Sequence, residues 1–387
     1  MSDPAAAPDA PGGAAADAPA DVLRARRLVL AHGWNAVSYQ ILNPGLRLWF
    51  TAAGDGVVAF VRHHGVAVVA GAPVCAADRL RAVIGEFEEA CAAAGDRTCY
   101  FAAGHRLERL LRERPDRAVV LLGAQPVWAP ARFADVVRGH ASLRAQLHRA
   151  RNKGVDVVEW PSARATRHPA LARLLAAWLA GRGLPPLRFL VEPDTLGRLW
   201  DRRVLVAERE GAPVAFAVAS PVPARNGWLV EQIVRGPDAP NGTNELLVAA
   251  VMDAVAAGGA DYATLGLAPL STRAGIPAPP TPRWLALTLA WVRAHGRRFY
   301  NFDGLDAFKA KLRPEGWEPI YAVCEGRFSP LTLWGIAGAF SGGSPAGLIA
   351  RAVGRAVRAE MGRAAGLGPR ADRREAPEAE PAPSADR

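Results

Sequence analysis

Two acids, Glu231 and Glu245, stand on either side of a loop rich in glycine, proline and asparagine, residues 236–244. A carboxylate in such a place can bind an ammonium group or take the proton of an attacking nucleophile. Further along, Lys309 and Lys311 are separated by one residue, and with Lys153 they are the only lysines beside 44 arginines. Where arginine serves nearly everywhere, a retained lysine marks a position that needs a compact ammonium rather than a planar fork. Such a group can meet a phosphate or the oxyanion that develops when an ester is attacked. One residue apart, Lys309 and Lys311 point in different directions on a strand or a helix, so they do different work. Eight histidines show no H-x-x-x-D or His/Cys arrangement, and Cys75, Cys91, Cys99 and Cys324 show no C-x-x-C pair. No metal site is predicted, and the cysteines read as reduced core thiols of a cytoplasmic protein.

The elements that position these groups follow one order twice. Residues 204–208 and 213–220 are apolar, β-branched runs around a turn, 228–234 is a further strand, and the loop leads into a helix over 245–257. A strand at 262–267, a helix at 284–294 and a closing strand at 320–324 complete the second half. The first half reads as strands 46–52, 57–62 and 66–70, a helix 79–94, a strand 98–102, a helix 105–114 and a strand 118–123. Such repetition implies duplication. The predicted class is α/β (α+β): two tandem modules of the N-acetyltransferase-like (GNAT) kind, mixed sheets flanked by helices, in which strand, loop and helix bind an activated acyl donor. Pro237 and Pro240 remove N–H donors from this loop, and Asp238 and Glu245 oppose a pyrophosphate, so coenzyme A is disfavoured.

At 387 residues the chain exceeds a single core. The first module, with a basic helix at 142–153, is placed at 21–160 and the second at 161–327. An apolar and basic amphipathic segment follows at 328–365, and residues 1–20 and 366–387 read as disordered tails. No secretory signal is visible, and the apolar stretch 331–340 falls well short of the about 20 residues that span a bilayer. The net charge of +10 favours polyanions, whether nucleic acid or an anionic bilayer. Within 348–357 the apolar residues share one helical face and Arg351 and Arg355, with Arg358, the other. Such a segment lies on an anionic leaflet or docks on the protein's own domain.

Three segments resemble the C-terminal catalytic region of the lysyl- and alanyl-phosphatidylglycerol synthases. Pro240-Asn241-Gly242-Thr243-Asn244-Glu245-Leu246-Leu247 is similar to that family's P-N-G-x-x-D-F-L, and Leu265-Gly266-Leu267-Ala268-Pro269-Leu270-Ser271 to its L-G-M-A-P-L-S. Phe299-Tyr300-Asn301-Phe302-Asp303-Gly304-Leu305, continuing through Lys309-Ala310-Lys311 to Trp317-Glu318-Pro319, is similar to F-Y-N-F-x-G-L-x-x-x-K-x-K-F-x-P-x-W-E-P. The basic helix between the modules is similar as well. This sequence departs from the family where W-E-P-R-Y becomes Trp317-Glu318-Pro319-Ile320-Tyr321, and where D-L-M-R becomes Glu231-Gln232-Ile233-Val234-Arg235. It also lacks the transmembrane portion that precedes this region in full-length members.

The resemblance implies transfer of an aminoacyl group from aminoacyl-tRNA to phosphatidylglycerol or another membrane lipid, with no cofactor. It gives catalytic roles to Glu231, Glu245, Lys309 and Lys311, and substrate binding to Arg235, Asn241, Gly242, Asp303, Trp317 and Glu318. It sets the tRNA on Arg144, Arg149, Arg151 and Lys153, whose charge supplies affinity without sequence reading. The implied partners are aminoacyl-tRNA and an anionic phospholipid or the inner membrane surface, the implied place cytoplasmic and peripheral. Two other readings stay open: a soluble amine or peptide as acceptor, or a non-catalytic lipid- or RNA-binding relic. Each residue also has a structural reading. Glu245 suits the first turn of a helix, Glu231 can face solvent, Asn241 and Gly242 form turns, Asp303 caps one, and Trp317 fits a core.

Overall fold

Short apolar runs alternate with amphipathic helices through the first half. They form α1 (Ala20–His32), β1 (Arg47–Phe50), β2 (Gly56–His63), β3 (Val66–Ala70), β4 (Val74–Cys75), α2 (Leu80–Ala93), β5 (Arg97–Ala103), α3 (His105–Arg112) and β6 (Arg117–Trp128). The connection and the second half supply α4 (Phe133–Gly139), α5 (Ala141–Arg151), β7 (Val155–Trp160), α6 (Ser162–Ala165), α7 (Pro169–Ala180), β8 (Arg203–Arg209), β9 (Ala212–Val222) and β10 (Gly227–Arg235). Then come α8 (Thr243–Ala257), β11 (Tyr262–Thr264), β12 (Ala268–Pro269), α9 (Arg283–His295), α10 (Phe302–Lys311), β13 (Gly316–Glu325) and α11 (Pro330–Ser341). This computed structural model describes residues 19–181, 188–191, 193–277, 279–295, 301–344 and 346–347. The tail expected at 1–20, apart from its last two residues, the basic amphipathic segment at 348–357 and the tail at 366–387 lie outside the described residues.

The thirteen strands among the described residues join one mixed sheet, in the order β1-β2-β3-β5-β13-β6-β11-β10-β9-β8-β7, with β4 beside β2 and β12 beside β6. The strand read as closing the second half, β13, lies instead between β5 and β6 of the first, antiparallel to both. Its run Ile320–Cys324 is buried throughout, as befits a strand covered on both faces. β6 is 12 residues long, double the run expected at 118–123, and pairs with β13 along one edge and with β11 and β12 along the other. The boundary at 160/161 does not divide the sheet, because β7 before it pairs with β8 after it.

Helices cover both faces. In the first half α2 and α3 set Val83, Ile84, Phe87, Leu107 and Leu111 on one side, while α1 and α11 set Val29, Ile336 and Ala339 on the other. In the second half α5 and α8 bury Leu143, Leu147, Leu247, Val251 and Val255 on one face, and α7 buries Leu171 and Leu175 on the opposite one. Cys99 and Cys324 are directly opposed on β5 and β13, with their sulfur atoms in contact. Cys75 and Cys91 are free and buried, and burial pushes their thiols up to about 11 and about 12.

Candidate active site

The site expected in the second module lies where two parallel strands part. β10 and β11 share three register pairs, Gly227 with Tyr262, Trp228 with Ala263 and Leu229 with Thr264. β10 then runs on to Arg235 beside β9, with its register shifting between Val230 and Gln232. Glu231 is the extra residue of that bulge. Its side chain is buried, paired with Arg202, and accepts from Gln40 Nε2 at 2.5 Å. Gln40 also donates to Ser220 Oγ at 3.0 Å. Beside it the Tyr39 hydroxyl donates to Asp201 at 2.7 Å, and Arg26 pairs with the same carboxylate. Glu231 is thus bound into a network that ties the segment before β1 to the second module's bulge.

In the loop from β10 to α8, Arg235 and Thr243 turn onto neighbouring groups of the loop. Arg235 Nη2 donates to the Ala239 carbonyl at 2.6 Å and to Asn241 Oδ1 at 3.2 Å, and Thr243 Oγ1 donates to the Pro240 carbonyl at 2.7 Å. Gly242 has φ +93, and a Cβ there would overlap the backbone oxygen of Gln146 on α5. That close approach holds the basic helix against the start of α8. On α5, Leu143, Leu147 and Ala150 face inward, leaving Arg149, Arg151 and nearby Lys153 exposed and Arg144 half-buried over the Arg138 carbonyl.

The two lysines of α10 part company as their spacing requires. Lys311 Nζ lies 2.8 Å from Glu245 Oε1, joining the last turn of α10 to the first turn of α8. Each charge also suits its helix end. The lysine is 37% exposed, so the pair can be reached from outside. Lys309 is 4% exposed and donates to the carbonyls of Leu265, Gly266 and Leu267 at 2.8, 2.8 and 2.9 Å. All three N–H groups of its ammonium are used. Burial pulls its pKa down to about 7, with Asp306 acting the other way, and three acceptors favour the ammonium.

Glu318, on β13, forms a second polar cluster. Arg225 grips both its oxygens at 2.6 and 2.9 Å, Gln125 Nε2 donates at 2.9 Å, and the Tyr262 hydroxyl lies at 3.3 Å. Burial works upward on this carboxyl, but the hydrogen bonds and charge of Arg225 hold it below the ordinary glutamate value. The Arg225 guanidinium lies 3.5 Å from the Tyr262 ring centroid and 5.4 Å from that of Trp34. Trp317 lies under Arg273, which pairs with Asp306 at 2.7 Å. Arg293 meets Asp303 at 3.4 Å, and Asn301, rather than Asp303, caps α10 by accepting from the Gly304 N–H.

The structure therefore brings Glu245 to Lys311 and Arg235 to Asn241, while Glu231, Lys309 and Glu318 each sit among partners of their own. Those partners, Gln40, Arg202, Ser220, Gln125, Arg225 and Tyr262, carry no mark in the sequence. Gln40 and Glu231 are 191 residues apart and Gln125 and Glu318 are 193 apart. The profile of the phosphatidylglycerol lysyltransferase C-terminal family matches residues 19–324. The chain belongs to that family.

The phosphatidylglycerol lysyltransferase C-terminal fold recurs in solved structures. The C-terminal domain of a putative lysylphosphatidylglycerol synthetase from Agrobacterium fabrum is 23% identical, with a TM-score of 0.70 over 84% of this chain and 98% of that one. L-PGS from Bacillus licheniformis is 20% identical, with a TM-score of 0.69 over 82% and 95%. A conserved protein of unknown function from Bacteroides thetaiotaomicron follows at 13% identity and 0.57, over 79% and 97%. At these identities the likeness concerns the fold, here two GNAT-like modules sharing a mixed sheet. Among curated proteins no sequence matches.

Proposed function

We propose that this chain transfers an aminoacyl group from aminoacyl-tRNA to phosphatidylglycerol or another membrane lipid, working on the cytoplasmic face of the membrane. One observation carries the reading beyond family membership: the loop that follows the parted strands of the second module is unfit for a pyrophosphate carrier. Its prolines lack N–H groups, and Arg235 and Thr243 are turned onto the loop's own carbonyls. An aminoacyl ester is already activated and needs no such cradle. Its transfer asks for positioning, removal of a proton from the acceptor hydroxyl and stabilisation of an oxyanion.

In this reading the exposed Lys311 ammonium meets the developing oxyanion or the RNA terminus, and Glu245 holds that lysine in place. Glu231 fixes the bulge at which the strands part. Lys309 holds the 265–267 turn, a positioning role. The exposed arginines of α5 and Lys153 take the acceptor stem, and Gly242 couples that helix to the loop. The reaction needs no bound cofactor.

The test is incubation of the full chain with a mixture of charged tRNAs and total lipid extract, read by mass. Aminoacylated lipid is the expected product. Label in a water-soluble amine or peptide would move the acceptor, and no product from any charged tRNA would overturn the reading.

A further inference from the structure

α11 lies on the surface without a polar outer face. None of its 12 residues is charged, and Leu331 and Trp334, three apart, point outward at 49% and 40% exposure. A helix packed on a core ordinarily sets charged residues on its far side. α9 exposes Leu287 at 72%, beside the exposed arginines Arg283 and Arg293. The two helices cover one core, since Leu285 packs in the same cluster as Ile336 and Ala339, and the Trp284 ring lies 6.3 Å from Phe328 just before α11. A lone exposed leucine is ordinary, but Leu331 and Trp334 lie one turn apart on an uncharged helix, with Leu287 exposed on a second helix over the same core.

The sequence that carries these two helices is rich in arginine, although Arg273 and Arg293 are paired with Asp306 and Asp303. Residues 262–302 contain five arginines and no acid, and residues 326–359 contain four arginines and no acid, although the chain carries 37 acids. These two stretches hold α9 and α11. Exposed Arg327 stands at the start of α11, and Arg188 packs beside Gly342 at its end.

We infer that the outward faces of α9 and α11 are the surface on which this chain rests on an anionic bilayer, with Trp334, Leu331 and Leu287 entering the headgroup boundary and the arginines meeting lipid phosphates. A second copy does not fit, because it would set two positive faces together. RNA matches the charge but leaves the tryptophan and leucines without partners. The chain's own residues from 343 to 359 include Arg351, Arg355 and Arg358 and no acid, so charge does not favour them as the occupant. The surface is also tied to the candidate site. Arg293, near the end of α9, donates to the Leu270 carbonyl at 3.3 Å and meets Asp303 at the start of α10, the helix that carries Lys311.

The inference rests on the proposed function only for a lipid acceptor, and its test needs no tRNA. The full chain is sedimented with vesicles of phosphatidylcholine, with and without phosphatidylglycerol. It is expected to bind the anionic vesicles and to remain in solution with the neutral ones. Leu331→Ser with Trp334→Ser is expected to weaken binding by about tenfold or more, and Arg327→Gln by about fivefold. Both variants should unfold at the wild-type midpoint. Undiminished vesicle binding by the double variant overturns the surface. So does a self-associated species or a tRNA affinity that the double variant abolishes, since either names a different occupant. Transfer to lipid in detergent micelles reads the reaction separately. No transfer there, with vesicle binding intact, would defeat the proposed function and leave this surface standing.

Discussion

The two modules repeat one arrangement, a parallel strand pair leading into a helix, and differ in how long the pair stays joined. In the first module β3 and β5 keep five register pairs, from Val66 with Arg97 to Ala70 with Phe101, and the Gly71 N–H adds a bond to the Phe101 carbonyl at 2.7 Å. In the second, β10 and β11 part after three, and the carbonyls of Leu265, Gly266 and Leu267 turn to Lys309. Opening a sheet leaves backbone groups without partners, and a buried ammonium is one way to satisfy several at once. The first module keeps a cavity beyond its pair, lined by Trp34, Ser38, Cys75, Leu80 and Arg106 among others, with no acid or lysine in its wall. The reachable ion pair, Glu245 with Lys311, belongs to the second module.

Four substitutions would break or sharpen that contrast. Lys309→Met strips three buried carbonyls of their donor and should cost about 3 kcal/mol or more in denaturant unfolding. A loss below about 1 kcal/mol would mean that something else holds the strands apart. Lys311→Ala should lower aminoacyl transfer about a hundredfold in a labelled-lipid assay. Its unfolding midpoint should barely move, since a partly exposed ion pair contributes less than about 1 kcal/mol.

Glu318→Gln removes a charged acceptor gripped by Arg225 and should cost about 1.5 kcal/mol at neutral pH. Because the folded carboxyl is held below its ordinary value of 4.5, its contribution is present above that value and is lost as pH falls through the lowered one. The variant's unfolding free energy should therefore change less than the wild type's on acidification through that range. Arg106→Ala, in the wall of the first module's cavity, should leave transfer within about twofold. A large loss there would make both modules participants in the chemistry.

Much of the element order was legible because burial leaves a mark on composition. The run at 66–70 is β3 residue for residue, and the helical spacing of Leu246, Leu247, Ala250, Val251 and Ala254 gave α8 to within two residues of its start. The rarity of lysine singled out Lys309, whose ammonium reaches three carbonyls, but not its burial. That depends on which way α10 faces. The partners of Glu231 and Glu318 lie on distant segments and belong to residue types that are common in loops and strands. β13 was legible as a buried strand and illegible as a neighbour of β5, because an apolar run records that it is covered and not by what.

That placement governs how the molecule is made. The initial half cannot close its sheet until residue 325 has been synthesised, since the strand that fills the gap between β5 and β6 is the thirteenth to emerge. Contacts of such long sequence separation slow folding and leave a half-built edge open to association in the meantime. The first half's core is therefore completed only by a strand made at the end of the second, whose residues Tyr321 to Cys324 fill both of its clusters.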